Sequence, residues 1–235
     1  MLKRREIISR LLATTMVLST VTSSVSALEP RATVSSSTLA GADRYETAVK
    51  VSESGWTSAT NAVIINGDKG LVDALTAGPL AAKLNAPILL TKKDIIPSET
   101  EKRLKGVNKV YIIGQEEAIS KTVENNVKSK NIEVIRLGGI DRIQTSYEVA
   151  KEMKRINSNI EKVFLVNGYK GEADAMSVSS VANRDKAPII LTNGNDIPFT
   201  INNKETYIIG LDAVMSNNIV TKVNGTRLGG IDRFA

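Results

Sequence analysis

The chain contains neither cysteine nor histidine. With both missing there is no Cys–His or Ser–His–Asp nucleophilic site, no zinc site built on thiolate or imidazole, and no imidazole acid–base step. Nor can disulfides staple the fold, so stability has to come from packing. Aromatic residues make up only 4% of the chain and no arginine-rich run occurs, which argues against nucleic acid as a partner. Its glycine-rich turns match neither a P-loop nor a dinucleotide fingerprint, so no nucleotide and no other cofactor is assigned.

Long apolar runs are also missing after the start of the chain. Residues 1–27 read as a secretory signal peptide: Lys3, Arg4 and Arg5 lead, an apolar and small stretch runs from Leu11 to Val25, and Val25-Ser26-Ala27 offers a small-residue cleavage site. The alternative, a membrane anchor, needs about 20 mostly apolar residues, and Thr and Ser interrupt this stretch. Removing four basic residues and one acid with the leader lowers the net charge from +6 to +3. A mildly basic, exported chain fits a polyanion on a cell surface better than nucleic acid, and without a further span no membrane partner is expected once the leader is removed. Residues 28–38, rich in Ser and Thr, read as a linker.

What the sequence does have is repetition. Leu39-Ala40-Gly41-Ala42-Asp43-Arg44 returns as Leu137-Gly138-Gly139-Ile140-Asp141-Arg142 and again as Leu228 to Arg233, at roughly domain-sized spacing. Between the phrases other landmarks keep their order. Asn66-Gly67 precedes Asp73-Ala74, then Ala86-Pro87-Ile88-Leu89-Leu90-Thr91, then Tyr111-Ile112-Ile113-Gly114; Asn167-Gly168, Asp174-Ala175, Ala187 to Thr192 and Tyr207 to Gly210 follow in the same order. The units are therefore residues 39–136 and 137–227, with 228–235 as the opening of a truncated third.

Within the first unit, short apolar strands at Ala62–Ile65, Pro87–Leu90, Lys109–Ile113 and Ile132–Arg136 alternate with helices over residues 41–54, 71–84, 98–105 and 120–128. Ser98 and Glu101 have capping-box spacing. This alternation predicts an α/β fold in which each repeat is an open, mostly parallel sheet flanked by helices. The second unit follows the same scheme, but Thr192 to Tyr207 is five positions shorter than Thr91 to Tyr111, so a helix there is shortened or lost.

In such sheets ligands bind beyond the carboxyl ends of the strands. The polar residues expected there are Asn66, Thr91 and Lys92 in the first unit and Asn167 and Thr192 in the second, together with Asp43, Arg44, Asp141 and Arg142 of the repeated phrase. Two readings of the phrase stand side by side. Asp can cap the following helix and Arg can pair across units, or the Arg guanidinium can face an anionic ligand. Asp73 and Asp174, in first helical turns, read as structural.

The Leu-Gly-Gly-x-Asp-Arg opening, the Asn-Gly followed by Asp-Ala and the Ala-Pro-Ile-Leu-Leu-Thr strand resemble the type 2 cell wall-binding repeats (CWB2) of Gram-positive surface proteins and autolysins, over about Thr38 to Ala235. The resemblance implies Toprim-like α/β repeats, usually three around a pseudo-threefold axis. It also implies non-covalent docking onto an anionic, teichoic acid-like polysaccharide of the cell wall, and the anchoring of a separate effector. A secreted, wall-associated binding module without enzymatic activity is the resulting expectation, with two alternatives. One is a self-assembling surface protein, whose homo-oligomer completes the third repeat. The other is the remnant of an N-acetylmuramoyl-L-alanine amidase or surface-layer protein whose catalytic part is absent; a hydrolase would need a metal site or a carboxylate pair.

Overall fold

Two four-stranded parallel sheets, one per repeat, carry the same topology. A computed structural model describes residues 36–69, 71–200 and 205–230, with the side chains of 71–73 excluded. The expected signal peptide, most of the linker and the Asp-Arg end of the third phrase lie outside these residues. In chain order the first repeat holds α1 (Arg44–Gly55), β1 (Asn61–Asn66), α2 (Leu71–Leu84), β2 (Ile88–Thr91), α3 (Ser98–Arg103), β3 (Lys109–Ile113), α4 (Lys121–Lys128) and β4 (Glu133–Leu137). The second holds α5 (Arg142–Ile156), β5 (Lys162–Asn167), α6 (Glu172–Asp185), β6 (Ile189–Thr192), β7 (Glu205–Ile209), α7 (Asn217–Val223) and β8 (Thr226–Leu228). Strand order is β2-β1-β3-β4 and β6-β5-β7-β8.

The register sets the positions of the strand ends. Asn66 pairs with Thr91 and Asn167 with Thr192, so each Asn-Gly turn opens beside a threonine at the carboxyl edge of its sheet. The central strands are buried on both faces, from Ala62 to Asn66 and from Val163 to Asn167, which is why they read as continuous apolar runs.

Both faces of the first sheet are covered, and the repeats share their covers. In the first, Val49 of α1 joins Ile64, Leu89, Ile112 and Val123 on one face, while Leu80 and Ala81 of α2 join Ile65, Tyr111 and Ile113 on the other. Val149 and Met153 of α5 belong to that second cluster, so the opening helix of the second repeat finishes the core of the first. The opposite side of α5 supplies Ala150 to the core around Leu165, Ile190 and Ile208. Helix α2 in turn packs against α5 and α6.

Two expectations are corrected. Ser98 is the first residue of α3 rather than its cap: Pro97 occupies the cap position with no side-chain bond, and Ser98 Oγ donates to Glu99 instead. Ser120, expected to begin α4, stands as its N-cap. The shortened connection in the second repeat has no counterpart of α3 among the described residues 193–200.

Candidate functional site

The repeated phrase builds the same helix start twice. Asp43 Oδ1 accepts from the Tyr45 and Glu46 N–H groups at 2.9 Å each, and Asp141 Oδ1 accepts from the Gln144 N–H at 2.7 Å. The side chain three residues past each cap reaches back, with Glu46 accepting from the Ala42 N–H (2.6 Å) and Gln144 from the Ile140 N–H (2.9 Å). Thr47 and Thr145 accept from Gly41 and Gly139. The spacing Asp-x-x-Glu/Gln is thus a capping box extended by one residue. Bonding to the Ala42 N–H, with help from Lys50, holds the Glu46 carboxyl below its ordinary range. A Cβ on Gly139 would fall 2.3 Å from Gln144 Cβ, so the close return of the chain excludes any larger residue there.

Each arginine of the phrase reaches the Asn-Gly turn of its own repeat: Arg44 Nη1 donates to Gly67 O (2.5 Å) and Arg142 Nη1 to Gly168 O (2.8 Å). Neither pairs with a carboxylate among the described residues, so the inter-unit ion pair is not the arrangement found. Arg142 also lies over the Tyr169 ring, 5.4 Å from its centroid.

The asparagines are used internally. Asn66 Oδ1 accepts from the Asp68 and Lys69 N–H groups and its Nδ2 donates to Ala118 O. Asn167 does the same with Tyr169, Lys170 and Val214. Both are buried, and these bonds hold the turns against the neighbouring strand-end loop. Thr91 and Thr192 are fully buried as well, bonded to Ile95 O and to Gly194 N–H respectively. These four residues shape the crevice rather than presenting groups to it. Asp43, Arg44, Lys92 and Asp141 are exposed, and Lys92 Nζ sits 5.7 Å from the centroid of the Tyr45 ring. Tyr45 donates its hydroxyl to Asp68 at 2.6 Å; burial first, then that bond and the Asp68 charge, push its phenol up to about 12. Asp174 reaches the turn at Gly210, where a glycine Cβ would meet its Oδ2 at 3.0 Å.

Where the first sheet's carboxyl edge meets the start of α5 there is a cleft of about 290 Å³, lined by Lys69, Gln115, Glu117, Gly139, Ile140 and Arg142 among others. Lys69 Nζ donates to Glu117 O at 3.0 Å, and Gln115 Nε2 to Gly138 O at 2.8 Å. The two cations of the cleft are therefore held by backbone carbonyls, which orient them without neutralising them. Lys69 and Gln115 were not among the expected site residues. A signal for the lysine exists, since Asn-Gly-x-Lys-Gly recurs at Asn66–Gly70 and Asn167–Gly171. No cluster of three or more potential metal ligands occurs among the described residues, and none of their helices is long and apolar enough to cross a membrane.

Comparison with known proteins agrees with this architecture. The family model described as "Cell wall binding domain 2 (CWB2)" matches residues 38–124 and 136–220. The chain is 34% identical over 204 residues to the N-acetylmuramoyl-L-alanine amidase LytC of Bacillus subtilis, covering 83% of this chain and 40% of that protein. It is 34% identical over 201 residues to the amidase enhancer of the same organism, covering 83% of this chain and 28% of the relative. Among solved structures, Cwp6 from Clostridium difficile superposes with a TM-score of 0.76 at 38% identity, and Cwp8 from the same organism with 0.73 at 34%. These cover 83% of this chain and 33% and 35% of theirs. The chain thus spans well under half of each of these relatives. By family model, identity and fold together, it belongs to the cell wall binding domain 2 family, of which it carries two tandem copies.

Proposed function

We propose that the two repeats bind an anionic polysaccharide of the cell wall, non-covalently and outside the cell, through the cleft between the first sheet's carboxyl edge and α5. The observation that carries this reading is the convergence of Lys69 and Arg142 on one cleft, with neither cation paired to a carboxylate among the described residues. Binding such a ligand requires little else: fixed cations and amide donors on a rigid edge, repeated so that a second contact benefits from high effective concentration. Arg44 and Lys92 extend the exposed cationic surface along the first repeat. Sedimentation with purified walls, before and after extraction of their anionic polymers, tests it. Binding should disappear with the polymer.

Activity of the amidase kind is not part of the proposal. Asp141 is occupied as a helix cap, and the chain matches 40% of the LytC sequence. The module serves as an anchor.

Self-association is a second reading, favoured by a comparison of equivalent positions. Leu137 is 7% exposed and Tyr111 3%, under Val149 and Met153 of α5. Their counterparts Leu228 and Tyr207 are less covered, Leu228 being 45% exposed, and Val51, the counterpart of Val149, is 49% exposed. Both halves of the interface between repeats recur uncovered among the described residues, and a second copy would bring them together head to tail.

A further inference from the structure

We infer that a second cleft beside the first holds a neutral sugar unit of the same polymer, so that Ile140 divides a saccharide subsite from an anion subsite; this rests on the wall-polysaccharide reading above. The cleft, about 400 Å³, is lined on its apolar side by Ile140, Ile143, Pro198 and Phe199 and on its polar side by Gln144 and Asn193, within the usual size range of about 300–1,000 Å³ for small-molecule sites. Ile140 and Asp141 line both clefts, making the two continuous across the repeated phrase.

The cleft lies where the second repeat departs from the first. Where the first repeat begins α3 with Ser98, the second has Phe199 after the matching Ile-Pro pair. That ring stacks on Tyr147 of α5, with centroids 3.8 Å apart and planes 3° from parallel, and so is fixed in place at the cleft wall. Beside it Ile140 is 95% exposed. An aliphatic side chain held almost wholly in water, on a turn fixed by Gln144 and Asp141, has no packing role to explain it.

The lining chemistry selects the ligand. Apolar and aromatic surface suits the C–H face of a sugar ring, since the ring quadrupole attracts its partly positive hydrogens. Gln144 and Asn193 each use the side-chain oxygen on backbone N–H groups, Gln144 on Ile140 and Asn193 on Asn195 and Asp196. Their side-chain NH₂ groups, with no bond among the described residues, are left as donors for hydroxyls. Among the described residues no Lys or Arg lines the cleft, and its Asp196 is held by Lys222 Nζ at 2.6 Å. Described cations that no carboxylate holds converge next door, at Lys69 and Arg142. A polymer alternating neutral sugars with charged groups matches this order.

The test uses the full chain and two probes: intact walls, and neutral oligosaccharides released from the same walls by dephosphorylation with hydrofluoric acid. Titration of ¹⁵N-labelled protein with the neutral oligosaccharides should shift the amides of Ile140, Gln144 and Phe199. Ile140→Ser, at a position too exposed to affect folding, should weaken that binding about tenfold and leave the salt slope of wall binding unchanged. Phe199→Ala should act in the same direction. Arg142→Ala should lose wall binding at low salt and keep the oligosaccharide shifts. Wall binding by the parent with no such shifts, or with Ile140→Ser binding the oligosaccharides like the parent, overturns the inference while leaving the wall-binding proposal intact. The same amides shifting with protein concentration alone would also overturn it, assigning the cleft to a second copy. A parent that fails to bind walls at any salt overturns the proposed function and this subsite with it.

Discussion

Asp141 and Gln144 close one helix end from both sides: the Gln144 N–H donates to the Asp141 carboxylate at 2.7 Å while the Gln144 side chain accepts from the Ile140 N–H at 2.9 Å. Asp43 and Glu46 do the same at the first repeat. Removing a cap of this kind costs about 1 kcal/mol. Asp141→Ala and Asp43→Ala should each lower the urea midpoint by that equivalent at unchanged m, measured by circular dichroism.

Gly139 leaves no room for a side chain, since an added Cβ would meet Gln144 Cβ at 2.3 Å and the Gln144 carbonyl carbon at 2.8 Å. Gly139→Ala should therefore destabilise by about 1–3 kcal/mol, in the range of overpacked sites. Gly55, whose Cβ would meet nothing within 4 Å, is the control: Gly55→Ala should leave the thermal midpoint unchanged or raise it slightly.

Acid should weaken the first repeat through Glu124. Burial alone would raise this carboxyl, but hydrogen bonds and charge from Lys128 and Arg136 outweigh burial and hold it at about 2 against an ordinary 4.5. A folded-state value below the unfolded one means stability present above pH 4.5 and lost as pH falls toward 2. The second repeat has Val220 at this position, and its Arg227 bonds Asn217 Oδ1 instead. Glu124→Gln should cost about 3 kcal/mol at neutral pH by leaving Arg136, otherwise bonded only to the Gly114 and Ile119 carbonyls among the described residues, without its carboxylate partner, and should flatten the acid limb of the stability profile. An unchanged acid limb in that variant would show that another carboxylate carries it.

Head-to-tail association through Val51 and Leu228 makes a separate prediction. Sedimentation equilibrium should show a mass that rises with protein concentration, and Val51→Lys or Leu228→Asp should return the chain to a monomer with an unchanged circular dichroism spectrum. A parent monomeric at all concentrations removes the second reading.

The sheets were legible in the sequence because buried parallel strands are continuous apolar runs: Lys109–Ile113 was placed to the residue and the other three strands of the first repeat to within one at either end. Repetition itself located the strand ends. Ser98 and Glu101 have capping-box spacing, but Pro97 takes the cap; the phrase's Asp does cap its helix as its position suggests, and the reciprocal Glu46 bond completes the box there. Asn66 and Asn167 look like exposed turn amides in sequence, since nothing local reveals that Ala118 and Val214, about fifty residues on, supply their acceptors. For the same reason Lys69 and Gln115 could not be placed in one cleft with Arg142, because their meeting depends on how α5 docks on the preceding sheet.

Salt titration of wall binding tests the Lys69–Arg142 cleft most directly. Exposed charges are screened beyond about 8 Å at physiological ionic strength, so binding of the parent to purified walls should fall steeply between about 0.05 and 0.5 M sodium chloride. Lys69→Glu, at an exposed position, should lose most binding at the low end while its unfolding transition stays in place. Binding by the parent that is indifferent to salt, or a folded Lys69→Glu, Arg142→Ala double variant that sediments with walls as the parent does, would contradict an anionic polymer held at this cleft.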